Sequence, residues 1–309
     1  MICFYHNSDH DGHCSGALVK LTFPDVRLVG VNYSLQNELQ YLEENVGVGE
    51  KVVICDFSFS VEGMKYLLER CGNDEVIWID HHISAINKIK EAGLHIQGIR
   101  DINKAGCELT WQYFWKTKPT HRMPDVVRLL GRYDVWDHND ADILPFHYGM
   151  NQYNTNPAYD MSLWIMLLSG TKNTIIKDLR KTIFDQILEE GKLIERYQDK
   201  QNEIKCKHAF YCSFKGQFER YRIIGLLNVS GSLSFKSIWD PEKFDIMMTA
   251  NYDGINWVCS LYTDEKDVDV SEICVQHGGG GHKGAAGFST PDLFALLEMK
   301  GRVRDLCKI

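Results

Sequence analysis

Carboxylates and imidazoles in this 309-residue chain gather in a few short stretches: HNSDHDG at 6–12, VVICDFS at 52–58, IDHH at 79–82, GRYDVWDH at 131–138 and HGGGGH at 277–282. Oxygen and imidazole donors without cysteine suit reactive Mn²⁺, Mg²⁺ or Zn²⁺ better than a structural zinc, and manganese accepts the mixture best. The Asp9-x-Asp11 spacing lets two carboxylates face different ions. A carboxylate from a neighbouring segment, such as Asp56, would then bridge the ions at the ~4 Å separation of two-metal hydrolases, where a shared water becomes the nucleophile. An aspartate at a strand end is by itself commonly a helix N-cap. What raises the metal reading is company: Asp9 and Asp11 follow one apolar run, Asp56 ends another, and Asp80, His81 and His82 end a third.

Those runs belong to a repeated pattern. ICFY precedes SGALVKLTF, VRLVGVNY precedes LQNELQYLEENV, KVVICDFSF precedes VEGMKYLLERC, and EVIWID precedes SAINKIKEAG. Four βα units predict an α/β domain with a parallel sheet covered by helices on both faces. The carboxyl ends of such strands share one edge, so Asp9, Asp11, Asp56 and His81 should converge there. A strand over LHIQGI and a helix over AGCELTWQYFWK extend the same layer. Residues 171–205 place Ile176, Leu179, Ile183, Ile187 and Leu188 at helical intervals and read as a long connecting helix. Beyond it, YRIIGLLNV, FDIMMTANY and NWVCSLYT have β character, followed by the glycine run and a helical PDLFALLEM. The expected division is a catalytic domain over 1–170, a linker helix over 171–205 and a smaller α/β domain over 206–309.

These motifs, in this order, resemble the DHH phosphoesterase superfamily, in the branch with an attached DHHA1 domain. HNSDHDG, VVICDFS, IDHH and GRYDVWDH look like its four DHH motifs, and HGGGGHKGAAGF at 277–288 looks like the DHHA1 signature. The resemblance implies an oligoribonuclease-like hydrolase with two divalent ions, most simply Mn²⁺, with Mg²⁺ or Co²⁺ as alternatives. It places Asp9 and Asp11 on different metals, Asp56 across both, His81 on one, Asp134 on the other, and His82 on the substrate phosphate. Asp56, His81 and His82 form the catalytic set, with Asp80 orienting its neighbours. GRYDVWDH also offers Asp137 and His138, and only the resemblance selects Asp134. His6 stands three residues before Asp9, where phosphatase-like relatives have a histidine four before, so ligation and a packing role both remain open. His10 reads as a packing or solvent histidine. Four glycines in a row usually make a flexible linker. Here they lie between His277 and His282, where bare backbone N–H groups approach an anion. The resemblance makes Ser260, Gly280, Gly281 and His282 substrate-binding, although Tyr262 stands where the family often has arginine.

The implied substrate is a short single-stranded oligonucleotide or a linear or cyclic dinucleotide, cleaved to mononucleotides. Pyrophosphate, a small phosphorylated metabolite such as 3′-phosphoadenosine 5′-phosphate, and non-catalytic nucleotide binding are the alternatives. A net charge of −8 gives no basic stripe and argues against gripping long duplex nucleic acid. There is no run of eighteen apolar residues and MICFYHNSDHDG lacks a basic leader, so the expectation is a cytoplasmic protein without a membrane partner. Ten cysteines without a CxxC pair read as buried thiols in a reducing compartment. A homodimer is left open.

Overall fold

Each of the four N-terminal apolar runs forms a strand and each amphipathic stretch a helix. In this computed structural model, which describes residues 1–116, 122–168 and 181–306, the order is β1 (Ile2–His6), α1 (His10–Thr22), β2 (Arg27–Val31), α2 (Glu38–Asn45), β3 (Val52–Cys55), α3 (Val61–Cys71), β4 (Val76–Ile79) and α4 (Ile83–Glu91). All pairings are parallel and the spatial order is β2-β1-β3-β4. The chain therefore reverses its direction of winding between β1 and β3, where open α/β sheets leave a crevice. Alternate residues bury on opposite faces. Ile2, Phe4, Ile54 and Trp78 pack with Met64 and Leu67, whereas Cys3, Tyr5, Val53 and Ile79 pack with Val19 and Leu109. Burial on both faces is why these strands read as continuous apolar runs.

After the sheet come α5 (Gly106–Trp115), α6 (Asp125–Asp134), α7 (Ile143–Met150), α8 (Ser162–Leu168) and α9 (Ile183–Cys206). Leu130, Phe146, Trp164 and Ile187 share a core with Cys14 and Leu18 of α1. LHIQGI does not form the expected strand. It lies beside β4 through isolated parallel bridges, Ile77 with Gln97 and, just past both segments, Asp80 with Arg100, and Trp78 N and Asp80 N donate to Gln97 O and Ile99 O. Gly98 sits at φ +126°, where a Cβ would lie 1.9 Å from the Trp78 carbonyl oxygen, so the segment follows the edge of the sheet in parallel but its pairing is too interrupted to make a strand.

The chain divides into two compact units, Met1–Glu195 and Arg196–Ile309. The division falls inside α9. The part of the expected 171–205 helix that carries Ile176 and Leu179 lies outside the described residues. The second unit contains β5 (Phe210–Phe214), β6 (Ile223–Leu227), β7 (Ile246–Tyr252), β8 (Trp257–Tyr262), α10 (Val270–Gln276), β9 (Gly280–His282), β10 (Ala285–Thr290), α11 (Leu293–Leu296) and β11 (Leu297–Arg302). Its seven strands run β11-β5-β6-β7-β8-β10-β9, with only β6 and β7 parallel. The helix expected over PDLFALLEM stops at Leu296, because Leu297 and the residues after it pair antiparallel with β5. Among the described residues no helix is long and apolar enough to cross a membrane, and nine cysteines are buried and unpaired.

Candidate metal centre

Asp9 and Asp11 do not lie on one extended stretch: Asp9 is extended and Asp11 is helical. Asp9 is the N-cap of α1, its Oδ1 accepting from Gly12 N at 2.9 Å, and Asp11 falls in the first turn. The buried Asp11 carboxylate accepts from Gly106 N at 2.7 Å and Cys107 N at 2.8 Å. These are the first two residues of α5, whose free N–H groups need acceptors, so Asp11 also fixes where that helix begins. His6 ends β1, and a Cβ on Gly12 would lie 2.0 Å from its carbonyl oxygen. Glycine is what lets α1 turn back so closely over the strand.

Asp56 follows β3 at φ +55°, in the left-handed region. Aspartate enters that region at lower cost than most residues, and such strain concentrates at functional sites. A Cβ on Gly106 would lie 2.5 Å from that of Asp56. Asp80 follows β4 and accepts from His81 N at 2.8 Å, His82 N at 3.2 Å and His82 Nδ1 at 2.7 Å. Asp134 is the last residue of α6. The helix ends by Asp137 N donating to Arg132 O at 2.8 Å and Trp136 N to Tyr133 O at 3.0 Å, with Trp136 at φ +58° where glycine is usual. Arg132 donates to the buried Glu108 of α5 and reaches Asp137 at 3.5 Å, which ties the end of α6 to α5.

These side chains meet in two groups, His6–Asp9–Asp56 and Asp11–His81–Asp134, with the ligand atoms of each within 4.8 Å of one another. His6 Nδ1 lies 3.0 Å from Asp9 Oδ2 and 3.7 Å from Asp56 Oδ2. His81 Nε2 lies 3.1 Å from Asp56 Oδ1, 3.4 Å from Asp134 Oδ2 and 3.9 Å from Asp11 Oδ2. Asp56 thus turns one oxygen to each group. His81 and Asp134, expected on different metals, fall in the same group because the end of α6 reaches the β4 side. His6 stands with the first group. His82 also comes within range of Asp56 and His81, while its Nδ1 is committed to Asp80.

The donor set fits divalent cations. His6 Nδ1, His81 Nε2 and Asp56 Oδ1 are buried and lack a hydrogen-bond partner despite their short approaches, as atoms do when they aim at a common point between them. Burial opposes charge on His6, yet Asp56 and Asp9 reverse that effect and lift the imidazole to about 10. His81 is lifted to about 9 against its own burial by Asp56 and Asp134. Burial, then Asp56, pushes Asp134 up to about 7, and burial with Asp56 and Asp134 pushes Asp11 well up. Asp56 goes the other way: His6 and His81 outweigh its burial and hold it well below the usual carboxylate range. Negative charge is in excess at a buried point, and a divalent cation neutralises it more fully than shared protons do.

Several neighbours were not visible in the sequence. Thr155 Oγ1 lies 3.1 Å from His10 Nδ1 and 2.8 Å from His13 Nδ1, and His10 Nε2 lies 2.9 Å from Asn151 Oδ1. His10 is therefore fully engaged in packing contacts. His138 sits over Trp136 at 4.3 Å, and Asp137 pairs with Arg132. Tyr33 stands beside His6 and His82. No acid or histidine marks Gly106 or Tyr33 in the sequence. Both were found only by proximity.

In the second unit, pairing sets Gly280 opposite Gly287 and Gly287 opposite Ser260. His282 is two residues along from Gly280, and Tyr262 two along from Ser260, so all four share one face of that sheet, with Gly281 in the alternate position. His282 is exposed. Tyr262 packs against the core containing Ile224 and Met247, which accounts for it without a substrate. His277 packs its ring against Phe214 and Phe288.

Residues 1–130 match the DHH family, N-terminal domain. The chain carries a DHH-family domain. That match covers His6, Asp9, Asp11, Asp56, Asp80, His81 and His82 and stops short of Asp134. The chain is 24% identical over 243 residues to uncharacterized protein R106 of Acanthamoeba polyphaga mimivirus, covering 78% of this chain and 53% of that protein. It is 24% identical over 315 residues to oligoribonuclease NrnB of Bacillus subtilis (strain 168), covering 94% and 73% respectively. It thus spans about half the length of the viral relative. Among solved structures, the pGpG-specific phosphodiesterase PggH from Vibrio cholerae aligns at a TM-score of 0.54 and 12% identity, over 96% of this chain and 95% of that one. An exopolyphosphatase-related protein from Bacteroides fragilis aligns at 0.52 and 14%, over 94% and 86%. Both show a shared fold.

Proposed function

We propose that this DHH-family chain is a divalent-metal phosphodiesterase that hydrolyses short oligonucleotides or dinucleotides to mononucleotides. The observation that carries the reading is Asp56, which turns Oδ2 toward His6 and Oδ1 toward His81. Its relative in Bacillus subtilis is named an oligoribonuclease, which supports a short RNA as substrate. Residues 206–309, with Ser260, Gly280, Gly281 and His282, are assigned to substrate recognition.

His6, Asp9 and Asp56 would hold one ion, and Asp11, His81, Asp134 and Asp56 the other, with Mn²⁺ the best match to imidazole and carboxylate together. Two such ions, when bound, acidify water and neutralise charge on a phosphoryl group. The protein's own contribution is orientation. Asp80 accepts a hydrogen bond from His82 Nδ1 and fixes that ring, leaving Nε2 for a phosphate oxygen. Against the cost of burial, Asp80 raises the affinity of His82 for a proton, so the ring can donate to an oxygen gaining charge.

Purified protein with Mn²⁺ should release mononucleotides from a labelled five-nucleotide RNA or a dinucleotide. Hydrolysis of pyrophosphate alone would overturn the reading. Asp56→Asn keeps a side chain that accepts the left-handed backbone and should lower kcat at least a thousandfold, an order of magnitude consistent with loss of a metal-bridging group. Full activity in that variant would rule out the bridging role.

A further inference from the structure

Tyr33 lies outside both ligand groups, yet its surroundings are those of a binding surface. The residue follows β2 and is 55% exposed. One side of its ring rests on Phe57 at 4.7 Å and 33°. Phe57 is buried directly after Asp56 and meets Phe59 edge-on at 5.1 Å, which in turn meets Phe4 of β1 edge-on at 5.0 Å. A continuous chain of ring contacts thus supports Tyr33 from the core. The loop itself is tied down, with Ser8 Oγ donating to Asn32 Oδ1 at 2.9 Å and Asn7 N to Val31 O at 3.0 Å.

The ring also stands 5.5 Å from the His6 ring and 5.8 Å from the His82 ring. Single exposed aromatics are common, but this one is supported by Phe57 beneath it and stands beside a proposed metal ligand, so its free area is available to whatever the centre binds. Polar groups on the metal side restrict it to a molecule with a flat apolar face joined to an anion. A nucleotide has that form, and base–aromatic stacking tolerates any base.

We propose that Tyr33 is the platform on which the base next to the scissile phosphate stacks, a specificity-determining contact of the first unit. The proposal rests on the phosphodiesterase reading, and its test separates the two. Full-length wild type, Tyr33→Ala and Tyr33→Phe are compared with Mn²⁺ on a dinucleotide and on the same compound lacking its bases. Binding of a 2-aminopurine dinucleotide is followed in parallel by fluorescence, with Ca²⁺ in place of Mn²⁺. In Tyr33→Ala the ratio of kcat/KM for the base-bearing to the base-free substrate should fall on the order of tenfold, mainly through KM. Tyr33→Phe should behave like wild type, and 2-aminopurine quenching should be lost only in Tyr33→Ala. An equal loss on both substrates, or no loss on either, overturns the platform. If wild type cleaves no dinucleotide, the phosphodiesterase reading falls: quenching that depends on Tyr33 then upholds the platform, and its absence overturns it.

Discussion

His81 Nε2 lies 3.1 Å from Asp56 Oδ1 and His6 Nδ1 3.0 Å from Asp9 Oδ2, and carboxylates so near each ring favour the imidazolium that a cation must displace. The carboxylates lift His6 to about 10 and His81 to about 9, which favours both imidazolium forms in the metal-free protein. Binding of Mn²⁺ near pH 7 should then release at least two protons per chain, because the raised Asp11 and Asp134 add to the imidazoles, read by calorimetry in buffers of different ionisation heat. No release would mean the imidazoles are not ligands. Arg132 makes a second residue-scale case. Its partner Glu108 is buried, and removing the cation leaves that carboxylate unpaired. Arg132→Met should lower stability by about 2 kcal/mol in urea unfolding, less than for a fully buried pair because the arginine is partly exposed. The same change frees the end of α6, and Mn²⁺ affinity should drop on the order of tenfold.

At the scale of elements, the start of α5 controls the centre from beneath. Gly106 donates its N–H to Asp11 and leaves room for the side chain of Asp56. Gly106→Ala should therefore keep the fold, as circular dichroism would show, but lower Mn²⁺ affinity at least tenfold by displacing Asp56. Unchanged affinity would show that the loop yields without moving the carboxylate. The four βα units were legible because strands buried on two faces leave unbroken apolar runs, as in VVIC and VIWI. LHIQGI has the composition of a strand, but the conformation of Gly98 is a backbone property that composition does not report. PDLFALLEM carries a helical pattern that a partner strand far away in sequence overrides after Leu296. Asp9 and Asp11 followed the right strand, while their placement on the first turn of α1 depended on the close approach allowed by Gly12.

For the molecule as a whole, protonation and metal binding should pull stability in opposite directions. His6 and His81 have folded-state values above the ordinary 6.5. Their contribution is complete below that pH and is lost as pH rises through about 9 to 10. Asp134, pushed from 3.8 to about 7, favours its protonated form in the same sense and loses its contribution between those values. With EDTA, the melting temperature of the transition involving Met1–Glu195 should fall between about pH 6 and pH 8.5. With Mn²⁺ the increment over EDTA should widen across that range, because protons compete less for the ligands. An increment that narrowed would contradict histidine ligation. The meeting of Asp9, Asp11, Asp56 and His81 was expected from their places after successive strands of a parallel sheet. Asp134 was not, because it arrives on a helix end whose position is set by Glu108 and Arg132 and by no periodicity.

The left-handed backbone at Asp56 also has a consequence for inheritance. Asparagine and glycine both accept that conformation, and each lies one base change from an aspartate codon. Either change should yield an allele whose protein accumulates to normal levels without the Asp56 carboxylate. Valine or tyrosine, equally close in the code, should strain the turn and lower abundance as well. Position 56 is thus a place where loss of activity and loss of protein are separable by a single nucleotide.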